Sequence, residues 1–312
     1  MRAWSVVLLI LIVNGCVTVS NQADKEQPVS IANQTLAALT AGLPGQYGNF
    51  AQLWVAQEGN PELRHWRLQV SSLGAGPGVA WFAFRQSLAA QPQVSQQQII
   101  RISSLTDDQL ELNFSPLPDT EQLSANSLEG LAASVRFIEG CQVVLAITGR
   151  RVAGQTRAQQ CRFPGPAGSN LILTKDFALE NDQIHIGERV TTGNHPEDPQ
   201  QDKIFYFQRQ SMYQGWLGIR DEDQRWHPVT NVRLSSDGDQ WPVALPDGTD
   251  SGFYLRLSQV PWHSEEAPIL RLDLIDKQQG TPVGNAWTAA GSEQIGLQLD
   301  WIQVGLEKVT TP

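Results

Sequence analysis

Short extended segments separated by turn residues dominate the first two thirds of this 312-residue chain. The segments with strand-like composition are 63–71, 79–86, 98–104, 110–114, 142–148, 155–162, 171–177, 183–190 and 204–210. Glycine, proline and acidic pairs mark the turns between them, as at 74–78, 107–108 and 164–166. Parallel strands need long crossovers, usually helical, and almost no helical pattern separates these segments. The pattern therefore predicts an all-β fold, a barrel or a sandwich.

One short helix is expected before the first strand. Leu36, Leu39 and Leu43 recur at helical spacing, and the sequence Gly42-Leu43-Pro44-Gly45 is typical of a helix end.

The last third of the chain differs from the rest in its tryptophan content. Six of the ten Trp residues are Trp216, Trp226, Trp241, Trp262, Trp287 and Trp301. Apolar residues alternate with period two in 253–257, 269–275 and 295–302, and Asp-Gly turns begin at Asp237 and Asp247. This pattern predicts a small β-sandwich-like domain over 211–312, after a first domain over 35–210.

The N-terminus resembles a lipoprotein signal. Met1-Arg2 precedes an apolar run over 6–13 that is too short to span a bilayer, and Cys16 follows small residues. We expect a signal peptide over 1–15, lipidation of Cys16, and a polar tether over 16–34. Because residues 17 and 18 are not acidic, the expected location is the outer membrane, facing the periplasm.

The other two cysteines are predicted to form a disulfide. Gly140-Cys141, an apolar run, a basic turn at 149–151 and a segment that ends in Cys161 indicate a cross-linked β-hairpin. A disulfide is expected in an oxidising compartment. Two buried, reduced thiols are the alternative. Neither cysteine has a CxxC or Cys/His partner at metal-ligand spacing.

Composition excludes several classes of function. A formal charge of −10 with no basic face argues against nucleic acid as a partner. The five His residues show no ligand spacing, so no metal site is predicted. The acidic segments 221–223, 237–239 and 247–250 lack the EF-hand spacing and are typical of turns. After the signal, no apolar run is long enough to cross a membrane, so lipid alone would attach the protein.

Four motifs in order resemble the CpcT/CpeT-type chromophore lyases, the phycobiliprotein bilin lyases, over roughly 36–210. They are Gly45-x-Tyr47-x-Asn49-x-x-Gln52, Gly140-Cys141 with Gly154-x-Thr156 and Cys161, Glu188-Arg189, and Phe205-x-Phe207-x-Arg209. The resemblance implies a calycin-like antiparallel barrel with an enclosed or cleft-like site. It also implies transfer of a linear tetrapyrrole to a cysteine of a phycobiliprotein.

Three polar positions depart from the family pattern. Arg85 stands where the family has Glu, and Gln96 and Gln98 stand where arginines are expected. A bilin carries two propionates that pair with Arg or Lys, and its attachment needs an acid near the pyrrole nitrogens. Phycobiliproteins are also cytoplasmic, whereas a lipoprotein is not. Inheritance of the fold is therefore better supported than inheritance of the reaction.

The sequence thus favours a membrane-anchored lipoprotein whose barrel binds a small, largely apolar ligand, with a linear tetrapyrrole as one candidate. The alternatives are an active lyase, and a structural envelope protein that binds protein partners through its C-terminal domain. The candidate ligand contacts are Asn49, Gln52, Gln86, Arg101, Glu188 and Arg189.

Within this set, Arg101 and Arg189 are expected to bind acidic groups, and the amides to donate hydrogen bonds. Glu188 and Arg189 are neighbours, so a regular strand can turn only one of them into a barrel. The structural alternative for Asn49 and Gln52 is that they close the turn between the helix and the first strand.

Overall fold

The computed structural model describes residues 30–56, 63–117, 130, 135–165, 168–180, 182–192, 195–262 and 267–310, with only the backbone at 117 and 195–202. The predicted signal peptide, Cys16 and most of the tether lie outside these residues. Within them, no helix has the length and apolarity to cross a membrane.

The described chain forms two helices and nineteen strands. The helices are α1 (Ile31–Gly42) and α2 (Phe50–Ala56). The strands of the first part are β1 (Gly45–Gly48), β2 (Trp66–Gly76), β3 (Val79–Leu88), β4 (Gln91–Ser104), β5 (Gln109–Leu117), β6 (Val143–Thr148), β7 (Arg151–Thr156), β8 (Arg162–Pro164), β9 (Asn170–Glu180), β10 (Gln183–Thr192) and β11 (His195–Arg209). Those of the second part are β12 (Met212–Arg220), β13 (Trp226–Ser235), β14 (Asp237–Ala244), β15 (Asp250–Pro261), β16 (Pro268–Asp276), β17 (Pro282–Ala289), β18 (Gln294–Gln298) and β19 (Ile302–Lys308).

The first part is a closed antiparallel barrel of ten strands. Its order is β1-β2-β3-β4-β5-β6-β7-β9-β10-β11, and β11 pairs with β1 to complete the ring. The short strand β8 adds to β9 beyond the end of β7. This architecture confirms the predicted all-β class with an antiparallel barrel. The ring closes through the short strand β1, which pairs with Gln208 and Arg209 of β11 and with 67–70 of β2.

Alternate residues of the barrel strands fill its interior. Phe82, Phe84, Ile100 and Ile102 are among the inward side chains of this core. Helix α1 begins after Ser30, whose hydroxyl accepts a hydrogen bond from Asn33 N at 3.2 Å, as an N-cap does. Its buried residues Ala32 and Leu36 join the same core, so α1 covers one end of the barrel. The predicted helix is confirmed.

The disulfide between Cys141 and Cys161 is present, with Cα atoms 4.3 Å apart. It ties the base of the β6–β7 hairpin, as predicted. Gly140 adopts a left-handed backbone (φ 79°), and a β-carbon there would collide with the carbonyl oxygen of Gln160. Glycine is thus required at position 140 by the close approach of the segment around Gln160.

The predicted strand over 155–162 is wrong. Strand β7 ends at Thr156, residues 158–160 form a turn in which Gln159 has φ 61°, and β8 begins only at Arg162. The turn returns Cys161 to Cys141, whereas a continuous strand would carry the thiol about 3.3 Å further away with every residue.

Two short elements follow α1 that the sequence patterns did not predict. Strand β1 has four residues, too few for a visible alternation, and every residue of α2 except Gln52 is apolar. Their position depends on long-range contacts: β1 pairs with both β2 and β11, and α2 packs against β11 and β15.

The second part is a sandwich of two four-stranded antiparallel sheets, ordered β13-β12-β19-β18 and β14-β15-β16-β17. Both sheets contribute to one apolar core, with Leu217 and Val304 from the first sheet and Leu257 and Leu272 from the second. The predicted sandwich is confirmed. Barrel strands end at Arg209 and sandwich strands begin at Met212.

A buried carboxylate joins the two parts. Asp237, which begins β14, is 4% exposed. Its oxygens accept hydrogen bonds from Phe50 N at 3.2 Å and Gln210 Nε2 at 2.9 Å, and His65 Nε2 lies 2.7 Å away. A β-carbon at Gly48 would collide with this carboxylate, so β1 must present a glycine there.

Helix α2 makes a second contact with the sandwich. Asp273, fully buried on β16, accepts hydrogen bonds from Arg256 at 3.0 Å and Arg271 at 2.7 Å. Both guanidinium groups lie over the ring of Trp54, with centroid distances of 5.5 Å and 5.1 Å. The barrel and the sandwich therefore share a polar, hydrogen-bonded junction.

The disulfide should stabilise the barrel measurably. Changing Cys141 and Cys161 together to Ala should lower the free energy of unfolding by about 3 kcal/mol, because the unfolded chain loses the closure of a loop of this size. Urea unfolding of the wild type with and without reductant provides the matched comparison. Peptide mapping that finds both thiols free in protein from an oxidising compartment would contradict the pairing.

Candidate functional site: a polar layer inside the barrel

Polar side chains interrupt the apolar interior at the end of the barrel away from α1. On β9 the inward residues Phe177 and Leu179 belong to the core, and the same alternation places Lys175 inside. On β10, Ile184 and Ile186 are inward, so Glu188 is inward too, and it lies directly opposite Lys175 in the register.

The neighbouring strands on the other side of the lumen contribute amides at the same level. Inward Phe82 and Phe84 on β3 are followed by Gln86, and inward Ile100 on β4 is preceded by Gln98 and Gln96. We call these five side chains the polar layer. Its members are Gln86, Gln96, Gln98, Lys175 and Glu188.

Lys175 spans the lumen and is the most buried charge of the layer, at 2% exposed. Its ammonium donates to Glu188 Oε1 at 2.7 Å and to Gln98 Oε1 at 3.0 Å, and it lies 4.2 Å from the centroid of the Phe114 ring. Thr156 fixes the strand beside it by accepting a hydrogen bond from Lys175 N at 3.1 Å. The Lys175 ammonium is thus fully engaged by protein groups.

Glu188 is held in its ionised form. Burial alone raises the pKa of its carboxyl, but the Lys175 ammonium and its hydrogen bond, with a further contribution from Lys203, bring the pKa below the usual value. The stability linked to this carboxylate is present above the pKa of Glu in the unfolded chain. It is lost as the pH falls through the lower pKa of the folded state.

Gln86 has an unsatisfied donor. The side chain is 6% exposed, and its Oε1 accepts a hydrogen bond from Gln96. Its Nε2 is buried and has no hydrogen-bond partner. A buried amide nitrogen without an acceptor is unfavourable by about 1–3 kcal/mol.

Water reaches the polar layer. Inward side chains of a closed barrel are accessible only where solvent enters the lumen. Gln96 is exposed, Gln98 is half-buried and Glu188 is 23% exposed. The inward apolar residues nearer α1, such as Phe82 and Ile102, are 0% exposed. The lumen is therefore packed at the α1 end and accessible at the polar layer.

The structure separates the predicted pair Glu188-Arg189 as the strand alternation requires. Glu188 faces the lumen, whereas Arg189 is exposed on the outside of β10. Arg101 is also on the outer face, opposite Trp81 and between the rings of Trp81 and Phe137, with Glu111 at 3.8 Å. The two arginines expected to bind acidic ligand groups are thus brought neither to the lumen nor to the polar layer.

Asn49 and Gln52 lie at the junction of β1 and α2 and bond the backbone. Asn49 is fully buried. Its amide donates to Arg64 O at 3.0 Å and accepts from Trp66 N at 2.7 Å. Gln52 bonds Ile204 O and Tyr206 N, on the part of β11 beyond the end of β1. Both residues thus bond the backbone, but Gln52 joins α2 to β11 and does not close the turn between the helix and the first strand that was the structural alternative. Gln86 and Glu188 are the expected site residues that the fold brings together.

Lys175 is a residue of the polar layer that the sequence patterns did not predict. The available signal is a single Lys in the alternation Leu171, Leu173, Lys175, Phe177, where the other residues are apolar. A charged residue on an apolar face predicts a buried partner, but the partner lies on another strand. In the described part of the chain, no group of three or more His, Cys, Asp or Glu could hold a metal ion.

Comparisons with known proteins leave the family open. No protein-family model matches the chain, and no curated protein matches it.

The buried pair should show asymmetric mutational effects. Glu188→Leu should lower the free energy of unfolding by about 3–5 kcal/mol, because it leaves the Lys175 ammonium buried without a counter-ion. Lys175→Met should have a smaller effect since Glu188 reaches water, and the double variant should recover most of the loss. Urea unfolding measures all three.

The matched control is the exposed pair Arg151–Glu180, at 3.4 Å on the paired strands β7 and β9. Removing either partner there should change the free energy of unfolding by no more than about 1 kcal/mol. Equal effects at the two pairs would contradict a structural role for the Lys175–Glu188 pair.

Proposed function

We propose that the barrel is a binding module for a small, largely apolar ligand that places a hydrogen-bond acceptor against the polar layer. The observation that carries this proposal is the buried, unpartnered Nε2 of Gln86. A ligand oxygen at that position would satisfy a donor that the protein leaves without an acceptor.

The surroundings of the polar layer support a largely apolar ligand. Trp66 and Phe205 meet edge to face with centroids 6.1 Å apart, and Phe205 stacks on Phe207 at 5.5 Å. Trp66 and Leu173 line the core but remain partly accessible. Ligand sites combine such apolar walls with a few polar groups that fix orientation.

The charges favour an acidic group on the ligand. Lys175 and Glu188 neutralise each other, and Lys203 lies directly opposite Glu188 on β11 with an exposed side chain. Because directly opposite residues share a face of the sheet, Lys203 points to the lumen as Glu188 does. It supplies a positive charge for a carboxylate, as on a linear tetrapyrrole or a fatty acid.

The layer suits binding better than proton transfer. A lyase acid must carry a proton at working pH, and the pKa of Glu188 is shifted in the opposite direction. We therefore place ligand binding ahead of lyase activity for this barrel.

We also propose that the protein is attached to the outer membrane through lipid on Cys16, facing the periplasm. The support is the apolar run over 6–13 and the small residues before Cys16. The disulfide between Cys141 and Cys161 fits an oxidising compartment.

Gln86→Leu tests the proposed site directly. The probes are biliverdin and cis-parinaric acid, a fluorescent fatty acid. Their binding is measured by the quenching of tryptophan fluorescence and by the absorbance of the ligand. The variant should bind about three- to tenfold more weakly, because one hydrogen bond is lost. Its thermal midpoint should stay the same or rise, since the unsatisfied buried donor is removed.

Two further variants test whether a ligand carboxylate contacts Lys203 and whether the ligand binds inside the barrel. Lys203→Gln should weaken biliverdin but not its dimethyl ester, which lacks carboxylates. Arg189→Gln, outside the barrel and beside Glu188, is the control and should bind both probes as the wild type does. A lumen site is ruled out if neither probe binds, or if Arg189→Gln weakens binding and Gln86→Leu does not.

Cys16→Ala tests the anchor. Loss of the lipidated thiol should release the protein into the soluble periplasmic fraction or leave the signal uncleaved, as read by membrane fractionation and intact mass. A variant that remains in the outer-membrane fraction with wild-type processing would contradict lipid attachment at this residue.

A further inference from the structure

A groove of about 550 Å³ lies on the outer face of the first sandwich sheet, across β12, β19 and β18. Its volume falls within the range of small-ligand sites, roughly 300–1,000 Å³. Core residues of these strands, such as Leu217, Val304 and Leu297, point the other way, so the groove belongs to the face opposite the sandwich core.

Side chains on this face form rows across the three strands. Gln214, Glu307 and Gln294 are register partners and make one row. Trp216, Gly305 and Gly296 make the next row. The groove therefore has a floor of glycine backbone, exposed at Gly296 and half-buried at Gly305 where Trp216 lies against it, and polar side chains along one wall. Glycine in a strand interior weakens a sheet and often marks close approach of a ligand.

Trp216 lies against the sheet and depends on the glycine next to it. A β-carbon at Gly305 would lie 2.7 Å from the indole nitrogen and 2.9 Å from the adjacent ring carbon. The indole is nonetheless 47% exposed. An aromatic ring held across a glycine with much of its surface in water is a binding platform that packing of the core does not require.

The polar lining is uncharged except for one carboxylate. Gln214 and Gln294 each offer an amide donor and an acceptor. Glu307 Oε1 accepts a hydrogen bond from Gln294 at 3.3 Å. The described residues of the lining include no Lys or Arg. The same row continues to the exposed Arg233, opposite Gln214 on β13, and Glu307 balances its charge. The groove therefore lacks the net positive charge that a polyanion needs and the contiguous apolar surface of a protein interface core.

We propose that this groove binds a neutral oligosaccharide. A sugar ring has an apolar C–H face that stacks on an indole and hydroxyls at its edge that both donate and accept. Trp216 fits the first feature and the amides of Gln214 and Gln294 fit the second. Strand β18 is the outer strand of the sheet, so the groove is open at one side and a polymer chain can continue beyond it.

Isothermal titration calorimetry of the full chain with cellohexaose, chitohexaose and maltohexaose tests the proposal. At least one of these neutral hexasaccharides should bind, and Trp216→Ala should weaken that binding by about tenfold or more, because truncated aromatic anchors lose the largest share of binding energy. Gln294→Ala should weaken it less. Glu307→Gln should preserve it, since an amide still accepts and donates hydrogen bonds.

Trp287→Ala is the matched control, because Trp287 is 58% exposed on β17 of the other sheet. It should bind the hexasaccharides like the wild type, and circular dichroism should show both variants folded. The proposal is overturned if none of the three sugars binds, or if Trp216→Ala and Trp287→Ala weaken binding equally. It is also overturned if Glu307→Gln abolishes binding and Trp216→Ala does not, because recognition would then depend on the carboxylate and not on the indole ring.

Discussion

The pairing of β9 with β10 closes the barrel, and the interior chemistry depends on it. Ten consecutive register partners hold these strands together, and they bring Lys175 opposite Glu188. A slip of β10 by one residue would turn Glu188 outward and the exposed Arg189 inward, and Lys175 on β9 would lose its counter-ion. The apolar residues nearer α1 enforce the register, because Phe177 and Ile186 must both face the core. Packing of one half of the lumen thus fixes the polarity of the other half.

The residues behind the family resemblance have structural roles in this chain. Gly140 permits the approach of Gln160, Thr156 bonds the backbone of β9, and Asn49 links β1 to β2. Such residues preserve a scaffold whatever the scaffold binds. Two of the three positions that depart from the pattern expected of that family, Gln96 and Gln98, lie in the polar layer, and the third, Arg85, does not. A fold by itself determines neither a ligand nor an activity.

Local patterns were sufficient to predict most of the strands, the hairpin and the disulfide, because turn residues and period-two alternation can be recognised from residues close together in the sequence. The strand alternation also established that only one of Glu188 and Arg189 faces inward. It could not select which one, nor identify Lys175 as the partner, because partners on different strands depend on register. Strand β1 and helix α2 were not predicted either, because their positions depend on contacts with strands that are distant in the sequence.

The Asp237 carboxylate makes the two parts of the chain one energetic unit. The barrel presents Phe50 N, His65 and Gln210 to it, and the sandwich supplies the acceptor. In a barrel expressed without the sandwich, Phe50 N, His65 and Gln210 would lose the carboxylate that they contact. The β1–α2 segment would then lose its hydrogen bond to Asp237. We therefore expect the barrel and the sandwich to unfold as one cooperative unit, although their folds are separate. The stability of the barrel and the stability of the sandwich are thereby coupled through Asp237 and through the contact of Trp54 with Arg256 and Arg271.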